Sequence, residues 1–372
     1  MQDPQQPRST YFKAYLGDPF GTLIIDRLAL SPLQLALIFL AAALVVDLIS
    51  FILVGDDVIR LSGWKDIWAY VVYLYVVFPV VVGAYVWVSL AAAELFSGLR
   101  QSQVIVASDE EFDAYVKDRS GSLRTLYNHP GWSIASFIVA AALTVYYAFI
   151  YTQGWSAVAI LLRALKVLVL YVPGWYAICQ IVARQMVTIW GLRQVFRRFE
   201  VAPQPLHPDR CGGLRAINNY AVGFTYIIAI AGVGIGLMSY VTVHRTGALA
   251  PDTAAWLVVY VVLAMLSFFL PPWTAHAAMA EAKRKLLMEV SRQFQQAYAQ
   301  TTACLEDETG ELKERVERIA SLHKLYELTD AFTVWPFDTA TLRRFAVTVT
   351  VPLVPLLVEL AVDVGRALLY PR

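Results

Sequence analysis

Hydrophobic positions in this chain come in solid blocks separated by polar connections. The blocks are Ser31–Val54, Ile67–Ala92, Trp132–Tyr151, Ser156–Trp190, Tyr220–Val243, Ala254–Ala275 and Phe345–Val364. A hydrocarbon core about 30 Å thick takes roughly 20 residues of helix to cross. In lipid the backbone's polar groups must be satisfied internally, which leaves helices or closed barrels. The pattern therefore predicts an all-α transmembrane bundle with seven spans. The fourth block is too long for one crossing, so its second half is expected to project as an extended helix. Pro173 and Gly174, within Tyr171–Trp175, should kink it.

The connections carry structure of their own. Ser108 followed by Glu111 makes a capping box, predicting a short helix over Asp109–Lys117. Ala275–Thr302 continues the sixth span with helix formers and charge and no breaker. Glu311–Thr329 places Leu312, Val316, Ile319, Leu322 and Tyr326 on one stripe, an amphipathic helix set off by a turn at Thr309–Gly310. Trp335-Pro336-Phe337-Asp338 marks a break before the last span. The organisation expected is a polar segment at 1–30, six spans with their loops at 31–275, a helical layer at 276–340, and the last span with a short tail at 341–372. There is no internal repeat of the kind that inverted-repeat transporters show.

Composition agrees with the blocks: 58% of residues are hydrophobic and 16% charged, with a mean hydropathy of +0.55. The net charge of +1 gives no case for a nucleic-acid partner, but it hides an asymmetry. Connections on one side hold 22 Lys and Arg residues, among them Arg8, Arg100, Arg193, Arg197 and Arg198 and ten between Lys283 and Arg344. The other side holds five: Arg60, Lys65, Arg245, Arg366 and Arg372. By the positive-inside rule the amino terminus is cytoplasmic and the carboxyl terminus external. Cys179, Cys211 and Cys304 form no disulfide framework. The polar, proline-containing stretch at 1–21 does not read as a cleavable leader.

Candidate chemistry lies in the few polar residues at membrane depth. Asp47, Arg163, Lys166, Glu359, Asp363 and Arg366 all fall toward the external side. Arg163 and Lys166 share a helix face, as do Glu359, Asp363 and Arg366. Charges so placed face a protein interior or a water-filled cavity. One reading is an ion pathway lined by Glu359 and Asp363. The other is plain pairing of Asp47, Glu359 and Asp363 with Arg163 and Lys166, with snorkelling of Arg366. In the last span Thr348 and Thr350 precede Pro352 and Pro355, which free backbone carbonyls; the threonines either re-satisfy them or face a pore. Gly232 and Gly236 make a small-xxx-small pair for close helix approach, within the chain or between chains. His207, Asp209 and Cys211 alternate on one loop and form a weak candidate metal site, with loop anchoring as the alternative. No catalytic or cofactor motif is present: there is no GxSxG, HExxH, Walker loop or dinucleotide fingerprint, so neither an enzyme nor a cofactor is expected.

Two resemblances add to this. The run Pro205-Leu206-His207-Pro208-Asp209-Arg210-Cys211-Gly212-Gly213-Leu214 resembles a segment of polytopic bacterial membrane proteins of unassigned function, which implies a bacterial inner membrane and no activity. The topology is similar to that of insect odorant and gustatory receptors. Its long fourth span, Ala275–Thr302, Glu311–Thr329 and Phe345–Val364 fall in the matching order. That resemblance implies a homo-oligomeric, tetrameric, ligand-gated cation channel whose last helix lines the pore. The partners expected are the bilayer, small ions and further copies of the chain. An ion-coupled transporter using Asp47, Lys166 and Glu359, or a non-conducting scaffold or signal transducer, are the alternatives.

Overall fold

The computed structural model describes residues 13–54, 64–117, 122–151, 157–202, 212–302, 311–331, 335, 339–358 and 361–362. Among them the chain is all-α but for one pair of two-residue strands. Helix α1 is Pro32–Val54; α2 (Trp64–Val72) runs through a π turn at Tyr73–Val77 into α3 (Phe78–Gln101). Two short helices follow, α4 (Asp109–Lys117) and α5 (Ser122–Tyr127), then α6 (Pro130–Tyr151). Helix α7 (Ala157–Lys166) passes through a second π turn, Val167–Tyr171, into α8 (Val172–Arg198). The remainder is α9 (Arg215–Thr246), α10 (Pro251–Thr302), α11 (Glu311–Asp330) and α12 (Thr339–Thr350), the last followed by a 3₁₀ turn at Val351–Leu353. The helix cap expected at α4 forms on its serine side: the Glu111 N–H donates to Ser108 Oγ at 3.1 Å.

Six helical stretches among the described residues are long and apolar enough to cross a membrane: Pro32–Leu53, Ile67–Gln101, Ile160–Arg198, Arg215–His244, Pro251–Thr302 and Thr341–Val358. The expected third span corresponds to α6, a helix of 22 residues. Leu33, Leu37, Leu44, Leu48 and Ile52 on α1 stand at least half exposed, as do Ile134, Ile138 and Val145 on α6. A contiguous apolar surface of that size is not stable in water, and it is what a helix facing lipid presents. The chain is an integral membrane protein.

Helix α3 is the axis of the bundle. It packs against α1, α8 and α9, and Val86, Val88, Phe96 and Leu99 along it are wholly buried. Helix α8 in turn carries α6, and α9 carries α10 and α12. At the Arg-rich end, strands β1 (Ile105–Val106) and β2 (Glu200–Val201) pair antiparallel and tie the exits of α3 and α8 together. Helix α10 has 52 residues, about 78 Å at 1.5 Å per residue. More than half of it therefore projects beyond a hydrocarbon core. Helix α11 runs back along that projection, with Lys283 donating to the Asp330 carbonyl at 2.6 Å and Arg315 to that of Gln300 at 3.4 Å. Leu312, Ile319 and Leu322 of its stripe turn toward α10, while Val316 and Tyr326 stay exposed, since a single neighbour covers less than the full stripe.

Gly232 and Gly236 are used inside the chain. A Cβ on Gly236 would meet the Pro352 carbonyl oxygen at 2.2 Å, and one on Gly232 would meet the Tyr260 ring at 2.4 Å. Close approach at those two positions seats the last helix and α10 on α9.

Candidate functional site

Proline chemistry shapes the first polar cluster. The π turns at Tyr73–Val77 and Val167–Tyr171 each stop two residues short of a proline, Pro79 and Pro173, whereas a third π turn, Thr22–Arg27, lies outside this pattern. Proline lacks the N–H for an i−4 bond and its ring crowds that carbonyl, so the preceding residues shift to wider i−5 bonding. The Phe78 N–H reaches the Tyr73 carbonyl and the Val172 N–H that of Val167. The expected distortion at Pro173–Gly174 thus takes the form of a widened turn. Gly174 is required there because the Phe78 ring occupies the place of a Cβ, 2.2 Å away.

These two turns bring Tyr70, Tyr75 and Lys166 around Asp47 of α1. The Lys166 ammonium donates to Asp47 Oδ1 and to the Tyr70 hydroxyl. Tyr75 donates to Asp47 Oδ2 at 2.5 Å and Tyr70 to the same oxygen at 3.2 Å. The ammonium also stands 5.1 Å from the centroid of the Tyr70 ring. Asp47 and Lys166 are both buried. Desolvation of each charge is offset only by good geometry and further hydrogen bonds, and the two tyrosines supply them.

A second buried pair sits 18 residues farther along the α7–α8 helix, about 27 Å away in axial rise. Its carboxylate comes from the segment before the first span. Asp18 caps a three-residue helix, Pro19–Gly21, accepting from the Phe20 N–H at 3.1 Å. The proline at the first helical position favours that start. Arg184 Nη2 donates to Asp18 Oδ2 at 2.6 Å, Tyr85 donates to the same oxygen, and Tyr176 donates to Oδ1 at 2.7 Å. Gln180 then donates to Tyr176 at 3.1 Å and to Ser133 at 3.2 Å, and Ser133 donates to the Gly17 carbonyl at 3.1 Å. Outside the membrane, Lys13 and Tyr15 hold the same segment through Asp26, at 2.9 and 2.8 Å. Burial pushes the Asp26 carboxyl up, but those hydrogen bonds outweigh it and hold the group below its usual value.

From Arg184 the polar network continues inward. Thr188 donates to the Arg184 carbonyl at 2.8 Å and accepts from Tyr127 at 2.7 Å. Tyr220 donates to Gln185 at 2.7 Å, and Gln185 donates to the Ser267 carbonyl at 3.3 Å. That carbonyl lies four residues before Pro271, which cannot bond it. Gln185 therefore lets Pro271 and Pro272 lie within an unbroken α10.

Beside this network is a vestibule of about 890 Å³ at the Arg-rich end, between α4, α5, the start of α6 and the end of α8. Arg197, Arg198, His129, Trp132 and Trp190 are among its walls. Arg198 lies over the Tyr115 ring at 5.1 Å, and Tyr115 donates to Gln194 at 3.2 Å. Burial pushes the Tyr115 phenol up, against the pull of Arg198, so it stays a donor.

Of the residues singled out from sequence, Asp47 and Lys166 come together. Arg163 lies on α7, and its side chain is outside the described residues, as are Glu359, Asp363 and Arg366. His207, Asp209 and Cys211 also lie outside them. Thr348 is half-buried and Thr350 exposed, and the Val349 carbonyl between them accepts from Tyr260 at 3.0 Å. Sequence reasoning missed Asp18 and Arg184. The signals were there: an arginine inside a long apolar helix, and Gly17-Asp18-Pro19 reading as a helix cap within the polar leading segment. Comparison of the chain with protein-family models, with characterised proteins and with solved structures gives no match.

Proposed function

We propose that this protein crosses a cell membrane seven times, with α6 as the additional crossing, and works as an ion-coupled transporter switched by the Asp47–Lys166 pair. The observation that carries the reading is that pair itself. It is a buried carboxylate–ammonium bond joining α1 to α7, flanked by two tyrosines and set beside two proline-widened turns. Ionisable residues at membrane depth mark ion and substrate pathways by default. Proton or cation binding at Asp47 removes the attraction that holds Lys166. The π turns, whose backbone bonding is already shifted, are where the helices can then re-pack. The excess of Lys and Arg on the side of α4, α5, α10's projection and α11 supports a cytoplasmic location for that end.

A homo-oligomeric cation channel, tetrameric by resemblance, is the second reading. It is favoured by the outward face of the last helix, where Val347, Val351, Val354 and Val358 are left uncovered by the chain's own helices. Such a face suits contact with another copy. Among the described residues its valines offer a permeating cation no oxygen ligand and Thr350 offers one hydroxyl, so the transporter takes precedence.

Purified protein in liposomes, with an imposed proton or sodium gradient, provides the test. Solute-dependent change of internal pH or sodium is expected from the wild type, falling at least about tenfold in Asp47→Asn and Lys166→Met, since a lost switching step of 1.4 kcal/mol or more is tenfold in rate. Unitary currents in planar bilayers, unchanged by both substitutions, would replace this reading with the channel.

A further inference from the structure

We infer that the vestibule at the Arg-rich end binds an anionic phosphate group, through Arg197, Arg198 and His129. The inference needs only the membrane location and not the transport reading. Neither arginine has a carboxylate partner among the described residues, and both side chains are exposed. Guanidinium groups present forked N–H donors that match phosphate oxygens. His129 adds a third donor: its Nδ1 accepts the Gly131 N–H at 3.1 Å, which leaves the ring hydrogen on Nε2. Gln194 receives the Tyr115 hydroxyl on Oε1, so its amide hydrogens remain to donate.

Size decides where the anion stops. Behind the vestibule, and sharing His129 and Trp132 with it, is a narrow cavity of about 10 Å³ against Asp18 and Arg184. Arg184 Nη1, on a residue 95% buried, has no hydrogen-bond partner there among the described residues. A space of that volume admits about one water and no phosphate. The vestibule, at about 890 Å³, falls within the range of small-ligand pockets. Asp18 already neutralises Arg184, so the free positive charge available to an incoming anion is that of Arg197 and Arg198.

Two sources carry this chemistry: the headgroup of an anionic phospholipid and free phosphate. Trp132 and Trp190 in the walls suit the lipid, because tryptophan sits at headgroup level and basic pockets between spans take lipid phosphates. The test uses the full chain in neutral detergent and reads its thermal unfolding midpoint with added phosphatidylglycerol, phosphatidylcholine or inorganic phosphate. Phosphatidylglycerol is expected to raise the midpoint by several degrees more than phosphatidylcholine. Arg197→Gln with Arg198→Gln should abolish that difference, and the lysine pair should keep part of it. A shift with millimolar phosphate alone assigns the site to a soluble ligand, and no such shift assigns it to lipid. Equal responses to the two lipids, or a full response in the glutamine pair, overturn the inference. Should the glutamine pair not fold, the wild-type response must shrink as salt is raised, and a salt-insensitive response overturns it equally.

Discussion

A carboxylate and a guanidinium removed from water each lose several kcal/mol of solvation, and their attraction recovers it only when the remaining donors and acceptors are also met. Asp18 meets that condition with four donors: Arg184, Tyr85, Tyr176 and the Phe20 N–H. Arg184 adds the face of the Tyr85 ring, 4.7 Å away. Removing one charge strands the other, so Asp18→Asn and Arg184→Met should each cost about 3–5 kcal/mol. The double substitution should cost clearly less than the two together, because neither charge is then left alone. Thermal unfolding of the three variants in detergent checks this. An Asp18→Asn protein as stable as the wild type would mean that the pair does not form.

Helices were legible wherever hydrophobic blocks or caps announced them, and what they do to one another was less so. The short helix begun by Ser108 and the run of α10 to Thr302 appear as read. The π turns do not show in any periodicity, since a widened turn adds a residue without changing the block's composition; Pro173 is read as a distortion and Pro79 is not. The helix pair α10–α11 shows the same limit, because a stripe says which side is apolar and not how much of it a partner covers. At Gly236 α9 and the last helix approach too closely for a Cβ, so Gly236→Ala is expected to cost about 1–3 kcal/mol by overpacking. It should also make residues 339–358 more sensitive to protease. A fully stable, protease-resistant Gly236→Ala variant would show that the Pro352 carbonyl moves aside freely.

The whole molecule is a bundle around α3 whose polar interior is built from residues far apart in sequence. Asp47 and Lys166 were visible as charges in apolar surroundings, whereas Asp18 lies ahead of any span and looked like solvent-exposed chain. Tertiary insertion of that segment, with Ala14 and Tyr15 almost wholly buried beside it, is a property of the assembled bundle. Seven crossings put the two ends of the chain on opposite sides, and six put them together. A reporter that works only in the cytoplasm, fused in turn to each end, should be active at the amino end and silent at the other; activity at both would exclude α6 as a crossing.

Arg184 follows Asp18 by 166 residues, and ribosomes add roughly 5–20 residues per second. About 8–33 s therefore separate the making of the two partners. Throughout that interval the acid is on a finished stretch of polypeptide while its base is still untranslated, so the leading segment can form this bond only after α8 has been made as far as Arg184. A nascent chain halted anywhere before Arg184 carries a key with no lock to turn, and docking of this segment through that bond belongs to a late stage of assembly.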